Sequence, residues 1–391
     1  MNKEAQKPQV VFLSGTGFPD AHSAYNHKIT LMSKALLEAG WHPTVLSKAN
    51  TSKHAKRERG TIEGIDYLYL TDTHSRGSHF GKVISYLKGY LREIALLHRL
   101  SKRSLKTVLI MSYSPAWLVL YYRVLSKLLG SKLVVSIMEY HVATAKGLYA
   151  RLNAVFFDHQ SYRFCDGVLP ISHFLDSLVK HHNTHKPSLV IPVLADYNYA
   201  GEGNLTAELD GKRYFLLCAG IGYRETIDFV AASYTRMKRE DALLVLVLSG
   251  AAEKIDPFKQ GISKDSGILV CTALPYVELY AMYKGALALL IPMRDHSQDQ
   301  ARFPQKIAEY LASGRPIVTT AVGEINRYFT NENNAFVVDS YDVGLFSNAM
   351  RTILDNPALA DEVGESGRSF GLLNFHYQVY SDKLATFFES L

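Results

Sequence analysis

Between Phe303 and Val318 the chain places a lysine and a glutamate where a helix should begin. Pro304 suits a first turn. Lys306 and Glu309, three apart, share one face, while Ile307 and Leu311 serve another; Gly314 stops the helix and Pro316 leads into a strand. In doubly wound sheets, ligands sit beyond the carboxyl ends of the strands, where loops such as this one meet helix starts. A surface ion pair on a capped helix is the plainer alternative, but it does not account for the polar loop Arg294–Arg302 directly before it, which carries Asp299 and Arg302.

Three further loops have the same character. Gly220 and Gly222 leave an apolar strand, and Arg224 stands where the next helix starts, so backbone amides and a guanidinium together suit a diphosphate. Gly15 and Gly17 follow the first strand and would let a ligand approach the backbone, but a dinucleotide fingerprint needs a third glycine where Asp20 stands, and no nicotinamide or flavin cofactor is expected. His141, with Glu139, follows a strand that ends at Ile137 and is a candidate ligand contact. His181, His182 and His185 lack supporting Cys or acidic spacing and read as surface residues, and no Asp-x-Asp pattern occurs, so no metal is expected.

The elements that must position these residues follow from periodicity. Strands are expected at Gln9–Ser14, Pro43–Leu46, Ile65–Leu70, Thr107–Met111, Lys132–Ile137 and Gly167–Ile171, separated by helical stretches. The pattern restarts with Arg213–Ala219, Leu243–Leu248, Ile268–Cys271 and Ala286–Ile291, with helices at Glu225–Lys238 and Val277–Tyr283. Such alternation builds parallel sheets, whose ligands sit beyond the carboxyl ends of the strands. At 391 residues the chain exceeds one ordinary core, and Pro192–Gly211 suits a linker. The expected domains are 1–195 and 196–371, with 372–391 as a closing segment whose helix, Tyr377–Phe388, could pack on the first domain.

Composition narrows the class. Hydrophobic residues make up 47% and charged residues 20%, which suits a globular chain. The start lacks the pattern of a signal peptide, no apolar run approaches the ~20 residues of a spanning helix, and Cys165, Cys218 and Cys271 are isolated; a cytoplasmic, reducing compartment is expected. Through Ala195 there are 25 Lys/Arg against 12 Asp/Glu, a balance of +13, and the remainder carries −7. An anionic membrane surface or a lipid-phosphate acceptor would be drawn to the front half, as an alternative to mere solubility. The stretch with Lys82, Lys88, Arg92, Arg99, Lys102 and Arg103 supplies the basic face, and Tyr86, Tyr90, Ile94 and Leu97 the apolar one. The basic residues are scattered and no recognition motif accompanies them, so nucleic acid is not expected.

Phe303-Pro304, Lys306, Glu309-Tyr310 and the following Gly314, Pro316 and Val318 resemble the bacterial branch of the retaining glycosyltransferases of family four, with its Phe-Pro-x-Lys-x-x-Glu-Tyr and Gly-x-Pro-x-Val stretches. The resemblance is strong from Cys218 to Val338 and weak before Leu133, and Val322–Ile325 matches the family's next loop. It implies the α/β fold called GT-B: two Rossmann-like, doubly wound parallel-sheet domains facing a central cleft. It also implies a hexosyltransferase-like, metal-independent activity that moves a sugar from a nucleoside diphosphate sugar donor to a glycan or lipid-linked acceptor, in polysaccharide assembly; retention follows from the resemblance alone. In it Glu309 binds the donor ribose, Arg224 and Lys306 neutralise the diphosphate, and His141 approaches the sugar. Many members carry an earlier glutamate at the position of Ala301; Asp299 or Arg302 is the expected substitute. The family's linker is altered at Pro192–Asp196, and its second diphosphate arginine falls at Gly222 or Tyr223. A nucleotide-sugar epimerase, or a catalytically silent binding subunit of a transferase complex, fits the same elements.

Overall fold

The computed structural model describes residues 7–14, 17–19, 24–49, 59–71, 79–199, 201, 203–205, 207–263 and 266–391. They divide into two compact units, Met1–Leu194 with Tyr377–Leu391, and Ala195–His376.

The first unit holds β1 (Gln9–Ser14), β2 (His42–Ala49), β3 (Arg59–Ile62), β4 (Ile65–Thr71), β5 (Thr107–Met111), β6 (Lys132–Ile137) and β7 (Gly167–Pro170). Their order across the sheet is β3-β4-β2-β1-β5-β6-β7. All pairs are parallel except β3 with β4, a hairpin turned by Glu63 and Gly64, both at positive φ as such a turn requires. Sequence patterning passed over β3 because it is short and largely exposed. Val10, Phe12, Val108, Ile110 and Val134 are fully buried from the strands, and Ile29, Met32 and Leu36 pack on them from helix Ala24–Glu38. The last segment, with helix Ser381–Ser390, belongs to this core: Leu384 and Phe388 are fully buried, and Phe388 meets the ring of Trp41 at 5.5 Å. Burying each such side chain contributes about 1.5–3 kcal/mol towards holding the helix on this core. Lys28, in helix Ala24–Glu38, is buried with its Nζ donating to the Ile191 carbonyl at 2.8 Å, and burial pulls its pKa down to about 7.

The second unit holds β8 (Tyr214–Gly220), β9 (Leu243–Ser249), β10 (Ile268–Thr272), β11 (Ala288–Ile291), β12 (Ile317–Thr320) and β13 (Phe336–Val338), in the order β10-β9-β8-β11-β12-β13, all parallel. Near-continuous apolar runs such as Leu243–Leu248 are what a strand covered on both faces requires. From β8 the chain builds outward through β9 and β10, then returns to β8's other side with β11 and builds the opposite way. Strand order therefore reverses between β8 and β11, and a crevice opens past their carboxyl ends.

All three cysteines are free thiols, and burial pushes Cys165 up to about 12. Among the described residues no helix is long and apolar enough to cross a membrane.

Candidate active site

The loops after β8 and β11 flank the strand-order reversal of the second unit. The β8 loop runs from Gly220 into helix Arg224–Met237, whose first turn has no side-chain cap, so its amides are available to an anion. A Cβ at Gly220 would meet nothing closer than Tyr223 at 3.7 Å, and one at Gly222 nothing within 4 Å; the chain's own packing demands glycine at neither. The β11 loop passes Arg294 and forms the short helix Ser297–Ala301, N-capped by His296. Asp299 in that helix is fully buried. Its carboxylate accepts from the Arg294 backbone N–H at 2.8 Å and pairs with Arg294 Nε at 3.3 Å and Arg302 Nε at 2.8 Å.

Both arginines then reach the β8 loop. Arg294 pairs with Glu225 in the first turn of helix Arg224–Met237, and the Arg302 guanidinium lies over the Tyr223 ring, 4.7 Å from its centroid. Burial pulls the Arg294 pKa down, but the Asp299 and Glu225 carboxylates outweigh it and raise the net value. The β12 loop is tied in as well: Gly323 sits at φ +56°, and a Cβ there would come within 2.8 Å of the Gln300 carbonyl.

Helix Lys306–Ala312 follows directly. Lys306 Nζ and Glu309 Oε2 are 3.1 Å apart, and Glu309 is 4% exposed, so the pair is not a surface ornament of a capped helix. Burial works against the Lys306 charge, but Glu309 more than restores it and raises the ammonium's pKa. Tyr283 and Tyr310, both fully buried, pack beside the pair; Tyr310 Oη accepts from the Cys218 N–H of β8 at 3.1 Å. Burial first, and the Glu309 carboxylate next, push the Tyr276 phenol up. The Glu309 carboxylate therefore lies among the Tyr276, Tyr280, Tyr283 and Tyr310 phenols, whose ionisation it opposes.

The other expected residues are placed as follows. Arg224 is taken up along its own helix, Nε bonded to both Asp228 oxygens at 2.8 and 2.9 Å and the guanidinium over the Phe258 ring, rather than joined to the Arg302 and Asp299 cluster. Asp299, expected as a sugar contact, has no exposed surface and acts as a clamp between two arginines. Ala301 is buried too. Gly15 lies outside the described residues, and Gly17 is buried in the loop after β1.

His141 belongs to the first unit, past the carboxyl end of β6. Its Nδ1 is 2.8 Å from Asp158 Oδ1, while Asp158 Oδ2 accepts from the Val142 N–H at 2.8 Å. Tyr113, just beyond β5, stacks on the imidazole with centroids 3.9 Å apart and planes within 11°. The ring is thus fixed in orientation, with Nε2 as the nitrogen not engaged by Asp158. Of the expected Leu97 and Tyr90 apolar face, Leu97 is buried and Tyr90 packs edge-on against Trp117 and Tyr121.

Sequence reasoning missed Arg294, Asp158 and Tyr113. The available signals were an arginine opening the polar loop after β11 and an aspartate directly after the apolar run Ala154–Phe157 of helix Leu148–Gln160.

Comparisons with known proteins bear on this geometry. Residues 212–356 match the family model described as glycosyl transferases group 1. Among solved structures, sucrose-phosphate synthase from Thermosynechococcus elongatus aligns with a TM-score of 0.75 at 15% identity, covering 98% of this chain and 99% of that one. The Anabaena protein HepE, solved in complex with UDP-glucose, aligns at 0.70 and 12% identity, covering 98% and 100%. The α,α-trehalose-phosphate synthase (UDP-forming) from Burkholderia vietnamiensis aligns at 0.65 and 11% identity, covering 98% and 100%. The fold is GT-B. The group 1 match spans the crevice loops of the second unit and supports a glycosyltransferase. No curated protein matches the sequence.

Proposed function

We propose that this GT-B protein transfers a sugar from a nucleoside diphosphate sugar to a hydroxyl of a glycan or lipid-linked acceptor, with retention at the anomeric carbon, in polysaccharide assembly at the inner face of the membrane. The observation that carries the reading is the buried Glu309 carboxylate paired with the partly exposed Lys306 ammonium, beside the strand-order reversal of the group 1 region. Glu309 accepts from the donor ribose hydroxyls, a contact between an ionised acceptor and neutral donors that contributes roughly 1.5–3 kcal/mol.

In the transfer, the bond from the anomeric carbon to the diphosphate oxygen breaks and its electron pair leaves with the diphosphate. The acceptor oxygen bonds to that carbon, and its proton passes to the departing diphosphate. Lys306, Arg302, Arg294 and the amides of helix Arg224–Met237 take the charge that develops there, so the reading assigns this task to the protein's own cations and dipoles. His141, oriented by Asp158 and Tyr113, contacts the donor sugar through Nε2. The UDP-glucose held by the Anabaena neighbour makes a UDP-sugar the first donor to try.

The test is a thermal-shift panel of nucleoside diphosphates and their sugars, followed by turnover with and without an acceptor. A raised melting temperature and nucleotide release that requires acceptor hydroxyl support transfer. Conversion of the donor without acceptor indicates an epimerase, and binding with no turnover indicates a silent subunit.

A further inference from the structure

Three neighbouring helices of the first unit, His79–Arg103, Ala116–Leu128 and Leu148–Gln160, leave large apolar side chains in solvent. On the first, Leu87 and Leu91 are 60% and 69% exposed, and Ile84 and Ile94 continue the same row. On the second, Trp117, Leu120, Val124 and Leu128 form a row at three- and four-residue spacing, with Leu128 78% exposed. Tyr90, packed edge-on against Trp117 at 6.3 Å, joins these two helices. On the third, Leu148, Tyr149 and Leu152 are equally bare, and Asn153 fastens that helix to the start of the second through the Ala116 N–H. A patch of this extent is unusual on a free surface.

Charge identifies the occupant. The only carboxylates on the three helices are Glu93 and Asp158, each about 1% exposed: Glu93 accepts from the Tyr121 and Tyr122 hydroxyls, and Asp158 holds His141. What reaches solvent is positive. Lys88, Arg92, Arg99 and Lys102 line one flank of the Leu87–Leu91 row, and Lys127 and Arg151 stand on the other helices. Beyond that basic flank lies a groove of about 750 Å³ between the helix and the hairpin of β3 and β4, lined by Arg59, Arg92 and Arg99 together with Leu68, Leu70 and Leu96. Three guanidiniums over an aliphatic wall suit a phosphate that carries an alkyl chain.

We infer that this face docks onto an anionic phospholipid bilayer, with the exposed apolar rows entering the acyl boundary, the basic flank on the headgroups and the arginine groove around a headgroup phosphate. The inference rests on the lipid-linked acceptor reading for its purpose, and its test is independent of that reading.

The full-length protein would be floated with vesicles of phosphatidylcholine alone and of phosphatidylcholine with phosphatidylglycerol. Binding is expected only to the second, weakening as salt is raised. Reversing three charges, Lys88→Glu, Arg92→Glu and Arg99→Glu, should lower partitioning by about a hundredfold. Leu87→Ser with Leu91→Ser and Trp117→Ser should lower it by roughly tenfold or more, from lost apolar insertion. Circular dichroism and donor titration on the same variants should be unchanged, so loss of vesicle binding and loss of donor binding report separately. Equal binding to both vesicle types, or none to either, overturns the inference. So does a dimer that the apolar variant converts to monomer without any vesicle binding, which would make the face a contact between copies of this chain.

Discussion

Both sheets of the protein reverse strand order once, between β1 and β5 in the first unit and between β8 and β11 in the second, yet the side chains at the two reversals differ in kind. Past β8 and β11 stand Arg294 and Arg302, cross-linked through Asp299 and bridged to Glu225 and Tyr223, with Lys306 and Glu309 following. Past β5 the described residues are hydroxyls and rings: Ser112 donating to the Tyr25 hydroxyl at 2.7 Å, Ser114, and Tyr113 stacked on His141 with its own hydroxyl accepting from Asn153. The first set holds three cations, each beside a carboxylate, and the second offers hydroxyls and an imidazole held by Asp158. On the proposed reading the first meets the diphosphate and the second the sugar.

Two lysines, Lys28 buried and Lys306 partly so, repeat the contrast. Lys306 has a carboxylate partner and its pKa is raised; Lys28 has a backbone carbonyl and its pKa falls to about 7. The environment, rather than burial by itself, decides whether a buried amine keeps its proton.

Four measurements would break or sharpen this comparison. His141→Ala should lower turnover by about 10²–10³-fold while leaving nucleoside diphosphate affinity alone, because the proposed reading takes the nucleotide contacts from the second unit. Asp158→Asn, which keeps the ring but weakens its anchor, should give a smaller loss of the same kind. A matching loss of nucleotide affinity would undo the division of labour. Asp299→Ala leaves two partly buried guanidiniums without their shared carboxylate, and should cost about 3–5 kcal/mol in denaturant unfolding while abolishing donor binding. Unfolding at the wild-type midpoint would show that the arginines need no clamp.

For Lys28 the pKa is depressed on folding, so the unfolded chain holds a proton that the folded chain has lost between pH 7 and about 10.5. Stability attributable to this group therefore rises with pH across that window, by of order 5 kcal/mol in full, and is flat below it. Lys28→Met should remove the rise and stabilise the protein at neutral pH; urea melts at several pH values would check this, and an unchanged slope would contradict it. The smallest effect is expected from Arg224→Ala. Its exposed pair with Asp228 is worth about 0–1 kcal/mol, and donor affinity should change by less than about threefold. A loss of a hundredfold would mean that Arg224 leaves Asp228 for the diphosphate on binding.

How much of this was readable beforehand depends on where the partners lie in the chain. Strands β5 and β6 are apparent because their buried apolar runs end at turn signals, whereas β3 shows only Ile62 as a large apolar residue and depends on a hairpin. Lys306 and Glu309 are legible as a pair because one helix turn joins them. Arg294 and Glu225 are 69 positions apart and meet only because β11 returns beside β8; no local pattern carries that information. Asp158 is hidden in the same way, in a helix whose surroundings look like core. For Arg224, position at a helix start pointed to an anion, but the aspartate one turn on competes for the guanidinium.

The central claim is that the buried Glu309 carboxylate holds the donor's ribose. Glu309→Gln keeps the size and removes the charge, so calorimetric titration of the cognate nucleoside diphosphate should show affinity weakened by about tenfold or more. Because Lys306 loses its partner, a stability loss of about 1–3 kcal/mol should accompany it, short of unfolding at the titration temperature. A variant that is less stable yet binds the nucleotide as tightly as wild type would make Glu309 a structural partner of Lys306 and contradict the account.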